Sequence, residues 1–315
     1  MYAIGLYALR QFGIARHDQQ QAPCARVLAQ GFGAGQAIRR LIVAKNHTGF
    51  AFGQGGNGAR HIRTQARVGE KPQAWQRLAI AHGAVYSMIM SNKEAISAAQ
   101  MRLADVQGRI ARAARLAGRS AEAVALIAIS KTQNAEAIVP LLAAGQRLFG
   151  ENRVQEAQGK WPELLAQWPS VELHLVGQLQ SNKAESAVAL FDVIHSVDRL
   201  SLIAALAQAC QKLGKYPRCF VQVNIGAEAQ KGGCAIEETA AMVDAARAAG
   251  LSVVGLMCVP PEDKEAAPYF ALLAKIAKGL GLQELSMGMS GDVEEAVSLG
   301  ATYVRVGTAL FGPRD

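Results

Sequence analysis

Val124-Ala125-Leu126-Ile127-Ala128-Ile129-Ser130-Lys131-Thr132-Gln133-Asn134-Ala135-Glu136 contains one complete unit of the fold. Residues 124–129 form a short, fully apolar run rich in β-branched side chains, the pattern of a strand covered on both faces. Asn134 followed by Glu136 then signals a helix start. Lys131 stands between them, at the carboxyl end of the strand, where α/β folds keep their chemistry. An amine there can condense with an aldehyde, although a solvated loop lysine would look the same in this stretch alone.

The same strand-then-helix rhythm repeats downstream. Apolar runs at Val124–Ile129, Arg147–Phe149, Val171–Val176, Asp192–Ser196, Cys219–Asn224, Val253–Cys258, Glu284–Met287 and Tyr303–Val306 read as strands. Helical patterns separate them at Asn134–Ala144, Val154–Trp168, Asn182–Phe191, Leu200–Leu213, Glu237–Ala249, Ala266–Leu280 and Asp292–Leu299. Ahead of the first strand, Ile96, Ala99, Leu103, Val106, Ile110, Ala113 and Ala117 make one apolar helical stripe, with Ser91 and Glu94 as its expected capping box. Eight strands, seven intervening helices and a leading helix predict a single (β/α)8 barrel of α/β class, with an open doubly wound sheet as the structural alternative. The leading helix is expected to cover one end of the barrel or to take the place of the missing eighth helix.

Charge divides the chain. Of 33 basic and 25 acidic residues, 11 basic and only two acidic ones, Asp18 and Glu70, fall within residues 1–90. The excess of +8 therefore belongs to that segment, and the remainder is nearly neutral. Residues 1–90 are rich in Gly, Gln and Arg without a period and carry no globular pattern. We considered a transit peptide, a disordered nucleic-acid-binding arm, and upstream coding sequence read in frame. We favour the last, with the natural start near Met88 or Met90 and residues 91–315 as the barrel domain. On that reading the nucleic-acid function falls away. The five cysteines include no CxxC pair, which argues against a zinc site or a disulfide framework and fits a reducing, cytoplasmic setting. The longest uncharged apolar run, Leu78 to Met90, is too short to span a bilayer.

A second cluster gives Lys131 a context. Leu285-Ser286-Met287-Gly288-Met289-Ser290-Gly291-Asp292 follows the seventh strand, and Arg305-Val306-Gly307-Thr308 ends the eighth. Glycines allow close backbone approach, and barrels often bind phosphate in the loops after strands seven and eight. Gly and Ser also suit ordinary turns. A lysine beside a phosphate site suggests a phosphorylated aldehyde, of which pyridoxal 5′-phosphate (PLP) is the commonest cofactor. Arg305 could face its pyridine nitrogen and, being always protonated, keep that nitrogen unprotonated. His174, within a strand, reads as a satisfied core histidine, and Asn224 as a ligand or loop contact.

Ala128 to Thr132, Phe149-Gly150-Glu151-Asn152 with Val154-Gln155-Glu156, His174 to Gly177 with Leu179 to Lys183, Gly255-Leu256-Met257, Leu285 to Ser290 and Arg305 to Gly312 together resemble the pyridoxal phosphate homeostasis protein family. The resemblance covers residues 91–315 and implies a PLP-binding barrel of fold type III, related to the alanine racemase N-terminal domain but lacking the racemase C-terminal β-domain. It implies that Lys131 holds PLP as an internal aldimine and that Asn152 lies near the ring. It implies further that Met289, Ser290, Gly307 and Thr308 surround the phosphate and that Arg305 meets the pyridine nitrogen. The implied role is PLP carriage or buffering in vitamin B6 and amino-acid homeostasis, without robust turnover. PLP-dependent apo-enzymes are the expected recipients and a monomer the expected state. A low-activity amino-acid racemase is the alternative. Three departures are Arg153 where the family usually has Tyr, Gln178 where His is frequent, and a looser segment from Ile225 to Gly233. Racemisation needs an acid/base on each face of the ring, and Tyr216, Tyr269 and Tyr303 are poorly placed in the sequence to provide the second.

Overall fold

The structure, a computed structural model, describes residues 71–312, with side chains from Met90 onward. The chain divides into two units, Met1–His82 and Gly83–Asp315, and the barrel lies in the second. Eight strands are present: β1 Ala125–Ile129, β2 Leu148–Glu151, β3 Glu172–Leu175, β4 Val193–Val197, β5 Arg218–Gln222, β6 Ser252–Met257, β7 Glu284–Ser286 and β8 Tyr303–Val306. They pair in parallel in chain order and close on themselves through β1 and β8. Among the described residues the α-helices are α1 Lys71–Leu116, α2 Ala135–Ala143, α3 Val154–Gln167, α4 Ala184–Leu190, α5 Leu200–Leu213, α6 Thr239–Ala248, α7 Ala267–Gly279, α8 Val293–Ser298 and α9 Thr308–Phe311.

Local chemistry sets the boundaries. The Asn134 side chain accepts the Ala137 N–H at 2.9 Å and starts α2. Gly214, with φ of 63°, ends α5 as its N–H reaches Cys210 O at 2.8 Å. β2 runs past the expected end at Phe149, because Gly150 serves packing and does not end the strand. A Cβ there would lie 2.5 Å from the Ile129 side chain and 2.9 Å from that of Ile127. Ser181–Lys183 forms a 3-10 turn ahead of α4, replacing the first turn expected at Asn182.

The Ser91–Glu94 capping box is not formed. α1 is continuous from Lys71, so Ser91 is an interior position. After Pro72 no proline interrupts this stretch, and propagating a helix costs less than stopping and renucleating it. Most of the expected stripe is present: Ala99, Leu103, Val106, Ile110 and Ala113 are buried and Ile96 is half-buried, but Ala117 is exposed, because the helix ends at Leu116. The leader reading of residues 1–90 lies outside the described residues over residues 1–70, and residues 71–90 belong to α1.

Two layers of core hold the barrel. Ile127, Val193, Phe220, Met257 and Tyr303 fill its interior. A larger layer, including Phe149, Trp161, Leu173, Phe191, Leu206 and Phe270, lies between strands and helices. α1 joins this outer layer. Arg102 donates to Leu310 O at 2.6 Å, Arg109 forks onto Glu294 at 2.6 and 2.7 Å, and Arg119, just past the helix, donates to Ala301 O at 2.7 Å. These contacts with α8, α9 and the turn before β8 put α1 in the place of an eighth helix, because α9 has only four residues.

Phe191 is fully buried and Leu116 is 88% exposed. Phe191→Ala is expected to lower the unfolding free energy by about 3–5 kcal/mol. Leu116→Ala should change it by less than about 0.5 kcal/mol. Urea denaturation followed by circular dichroism checks both.

Candidate functional site

Ser130 is fully buried at the end of β1. Its N–H donates to Gly150 O at 3.0 Å and its hydroxyl to Glu151 Oε1 at 2.5 Å. Lys131 follows, half-buried. Thr132 adopts a left-handed conformation, with φ of 65°, and its N–H donates to Glu156 Oε1 at 2.6 Å. Such a conformation persists in a non-glycine residue only where its surroundings enforce it.

Lys160 provides much of that enforcement. Its ammonium donates to Ser130 O at 2.8 Å, to Gln133 O at 2.9 Å and to Glu156 Oε1 at 2.8 Å, and lies 3.0 Å from Glu151 Oε1. Trp161 Nε1 donates to the same Glu151 oxygen at 2.9 Å. The backbone on both sides of Lys131 is thereby tied to α3. Burial pushes the Glu151 carboxyl up, against the hydrogen bonds from Ser130 and Trp161 and the charge of Lys160. Burial also acts to raise Glu156, but the bonds from Lys160 and the Thr132 N–H prevail and hold it below the ordinary range.

On the other side of β1, Arg305 is 5% exposed. Its guanidinium donates to Ser286 Oγ and to Cys258 O, both at 2.8 Å. Among the described residues no carboxylate is within ion-pair distance of it. A buried cation held only by neutral acceptors keeps N–H capacity for another acceptor. Arg305 N donates to Gly288 O at 2.9 Å, joining β8 to the loop after β7. Gly288 has φ of 94°, and a Cβ there would approach Ala296 Cβ to 2.5 Å. Ser290 is half-buried, and its carbonyl accepts Arg109 Nη2 at 3.1 Å. The Met289 N–H donates to Asp292 Oδ1 at 2.5 Å and is engaged within the loop. The Met289 side chain is 37% exposed.

Closure makes β7, β8, β1 and β2 consecutive neighbours. Met289 and Ser290 after β7, Arg305, Gly307 and Thr308 at the end of β8, Lys131 after β1 and Asn152 after β2 therefore share one arc of the carboxyl rim. Gly307 lies against the end of β1, and a Cβ on it would be 3.5 Å from Ile129 O. Asn152 is half-buried, and the backbone approaches it so closely that a Cβ on Gly177 would be 2.2 Å from Asn152 O. Arg153, and not Asn152, occupies the N-cap position of α3. Asn224 folds its own loop: its side chain donates to Glu228 O at 2.8 Å and accepts Glu228 N at 3.1 Å.

In the sequence, Glu151 and Glu156 stand only within motifs, with no role assigned, and Lys160 is not singled out. Lys160 lies 29 positions from Lys131, and no motif connects them. A buried acid directly after the close-packed Gly150 was the one available signal for Glu151. His174 is a buried core histidine as expected, with His195 Nε2 2.9 Å from its Nδ1, and its Nε2 meets Glu172 only in a bent contact. His195 itself was not singled out. Among the described residues, no three His, Cys, Asp or Glu side chains are grouped to hold a metal, and no helix is long and apolar enough to cross a membrane. An ammonium, a buried guanidinium and glycine-rich loops on one arc suit a ligand with an electrophilic carbon, a ring acceptor and an anion.

A family profile described as "Alanine racemase, N-terminal domain" matches residues 101–315. The pyridoxal phosphate homeostasis protein of Pseudomonas aeruginosa is 44% identical over 221 residues, covering 68% of this chain and 94% of that one. The protein of that name from Escherichia coli K12 is 38% identical over 229 residues, covering 68% and 95%. PipY of Synechococcus elongatus, solved with PLP bound, superposes with a TM-score of 0.58 at 39% identity, covering 68% of this chain and all of that one. Alanine racemase of Clostridium difficile, at 14% identity and a TM-score of 0.54, shares the fold. The arc of candidate residues thus lies on the barrel of the alanine racemase N-terminal domain, and the chain belongs to the pyridoxal phosphate homeostasis protein family.

Proposed function

We propose that this protein binds PLP on the arc from β7 to β2 and carries or buffers it within the cell. The observation that carries the reading is the buried Arg305 guanidinium, held by neutral acceptors beside the strand that ends at Lys131. A pyridine nitrogen, a neutral acceptor in a flat ring, suits its remaining N–H groups. The PLP-bound structure of PipY supports the same reading.

The residues present fit the group. Lys131 would supply the amine for the aldehyde carbon, and the clamp of Lys160, Glu151 and Glu156 fixes the backbone around it. Gly307 and Thr308, with Ser290, supply close backbone and hydroxyl groups for the phosphate. The engaged N–H of Met289 leaves that residue to line the loop and not to donate. Asn152 borders the ring. Bound PLP supplies an electron sink for carbanion chemistry, and Arg305 weakens that sink by leaving the ring nitrogen unprotonated.

We infer that the protein is a carrier and not a robust enzyme. The Tyr303 hydroxyl accepts Arg218 Nη1 at 2.8 Å at the amino end of the barrel, away from the rim. Tyr216 precedes β5 and is 55% exposed, and Tyr269 lies in α7. No tyrosine among these supplies a second base opposite Lys131. PLP-dependent apo-enzymes in the cytoplasm are the recipients, and the carrier acts as a monomer. The alternative, a slow amino-acid racemase, rests on the shared barrel.

Two measurements test these readings. Protein incubated with PLP and reduced with borohydride should gain one phosphopyridoxyl mass on Lys131, and Lys131→Ala should lose the adduct and the visible absorbance together. An unchanged adduct in Lys131→Ala refutes the assignment of the amine. Holoprotein mixed with an apo-enzyme should transfer PLP to it, and L-amino acids incubated in D2O should gain no deuterium at Cα. Catalytic deuterium incorporation would replace the carrier reading with the racemase.

A further inference from the structure

A line of polar side chains runs through the barrel interior from the rim to the opposite end. Arg305 Nη1 donates to Ser286 Oγ at 2.8 Å. Ser286 Oγ is 2.9 Å from His195 Nδ1, and His195 Nε2 is 2.9 Å from His174 Nδ1. His174 Nε2 makes a close but bent contact with Glu172 Oε1 at 2.9 Å. Arg218 grips that carboxylate at 2.7 Å. Ser286, His195 and His174 are fully buried. His195 stacks on Phe220, with centroids 4.4 Å apart and planes 8° from parallel, and meets the edge of Tyr303.

The two ends determine the direction. A guanidinium only donates and a carboxylate only accepts. With neutral rings, the Ser286 hydroxyl gives its proton to His195 Nδ1, His195 Nε2–H donates to His174 Nδ1, and His174 Nε2–H faces Glu172. The opposite order aims a bare nitrogen lone pair at the carboxylate unless His174 becomes a cation. Burial holds both imidazoles below their ordinary range, and contact with His174 and Arg218 holds Glu172 ionised.

We propose that Ser286, His195 and His174 form a one-directional hydrogen-bond chain that fixes the Arg305 guanidinium and so sets how it meets the ring nitrogen of PLP. The proposal rests on the PLP reading for its consequence at the ring, while the chain itself exists without cofactor. Ser286, His195 and His174 are positioning residues: they act through Arg305. The chain orients Ser286 as an acceptor toward Arg305, because its only proton is committed to His195. The guanidinium is then held at two nitrogens, by Ser286 and Cys258 O, with its other N–H groups left for the rim.

The test has two arms. In the first, full-length 15N-labelled protein without PLP is examined by imidazole NMR across about pH 6–8. Both histidines should be neutral with the proton on Nε2. A cationic His174, or His195 with its proton on Nδ1, overturns the chain. In the second, holoprotein carries PLP labelled with 15N at the ring nitrogen. His195→Phe keeps the stack on Phe220 but breaks the chain, and Ser286→Ala breaks it at the next link. Each should move the ring-nitrogen resonance and weaken PLP binding about ten-fold, the loss of one charge-assisted hydrogen bond. Phe220→Leu, which loses the stack and keeps the chain, should lower the melting temperature and leave the resonance in place. An unmoved resonance in folded His195→Phe and Ser286→Ala overturns the positioning role. If those variants do not fold, His195→Leu, which likewise has no hydrogen-bonding group, provides the same comparison, and the first arm needs no variant. Protein that takes up no PLP refutes the proposed function, and the first arm still decides the chain.

Discussion

Pairing of the first and last strands is the constraint on which the rest of this molecule depends. Ala125, Leu126, Ile127 and Ala128 lie opposite Tyr303, Val304, Arg305 and Val306. That register joins residues about 180 positions apart and places the end of β8 against the end of β1. Without closure, Lys131 would be one lysine after one strand, and Gly307 one glycine in a turn. Closure also leaves no exposed edge strand in the barrel and creates the interior in which Arg305 can be buried.

That interior is more polar than a hydrocarbon core. Glu172, His174, His195, Ser286, Arg218 and Arg305 share it with Phe220, Met257 and Tyr303. Buried polar groups of this kind cost desolvation unless they are paired, and a paired network is costly to break at any link. Arg305 is the group that makes this cost necessary. It sits deep enough to be oriented by neighbours and close enough to the rim to meet a ligand. The clamp on the other side of β1 follows the same rule. Lys160 is half-buried against the backbone of Ser130 and Gln133, and its charge is balanced by Glu151 and Glu156.

Much of the framework was legible in the sequence, because its signals are local. The apolar run at 124–129, the Asn134 cap and the glycine ending α5 are each read within a few residues. The rim candidates were legible for the same reason: a lysine or a glycine-rich turn directly after a strand marks itself. The polar interior was not legible. His195 and Ser286 are 91 positions apart, and an inward-facing Ser or His on a short strand looks like any other strand residue. Lys160 resembled an ordinary helix-surface lysine until α3 was packed over the end of β1. Ser91 misled because a capping box and an interior Ser–Glu pair have the same spacing, and only the continuity of α1 distinguishes them.

The arginines of α1 and of the turn after it carry a consequence for the order in which this chain matures on the ribosome. Arg102, Arg109 and Arg119 bind α8, α9 and the turn before β8, which are made last. Elongation from β1 to β8 takes roughly 10–40 s at typical rates. Throughout that interval Leu103, Val106 and Ile110 have no barrel to cover them. The nascent chain therefore emerges with a sticky helix ahead of the barrel and its mate still unsynthesised. Sealing is a single late event, and a ribosome that stalls short of Leu310 leaves that helix as the first surface a chaperone meets.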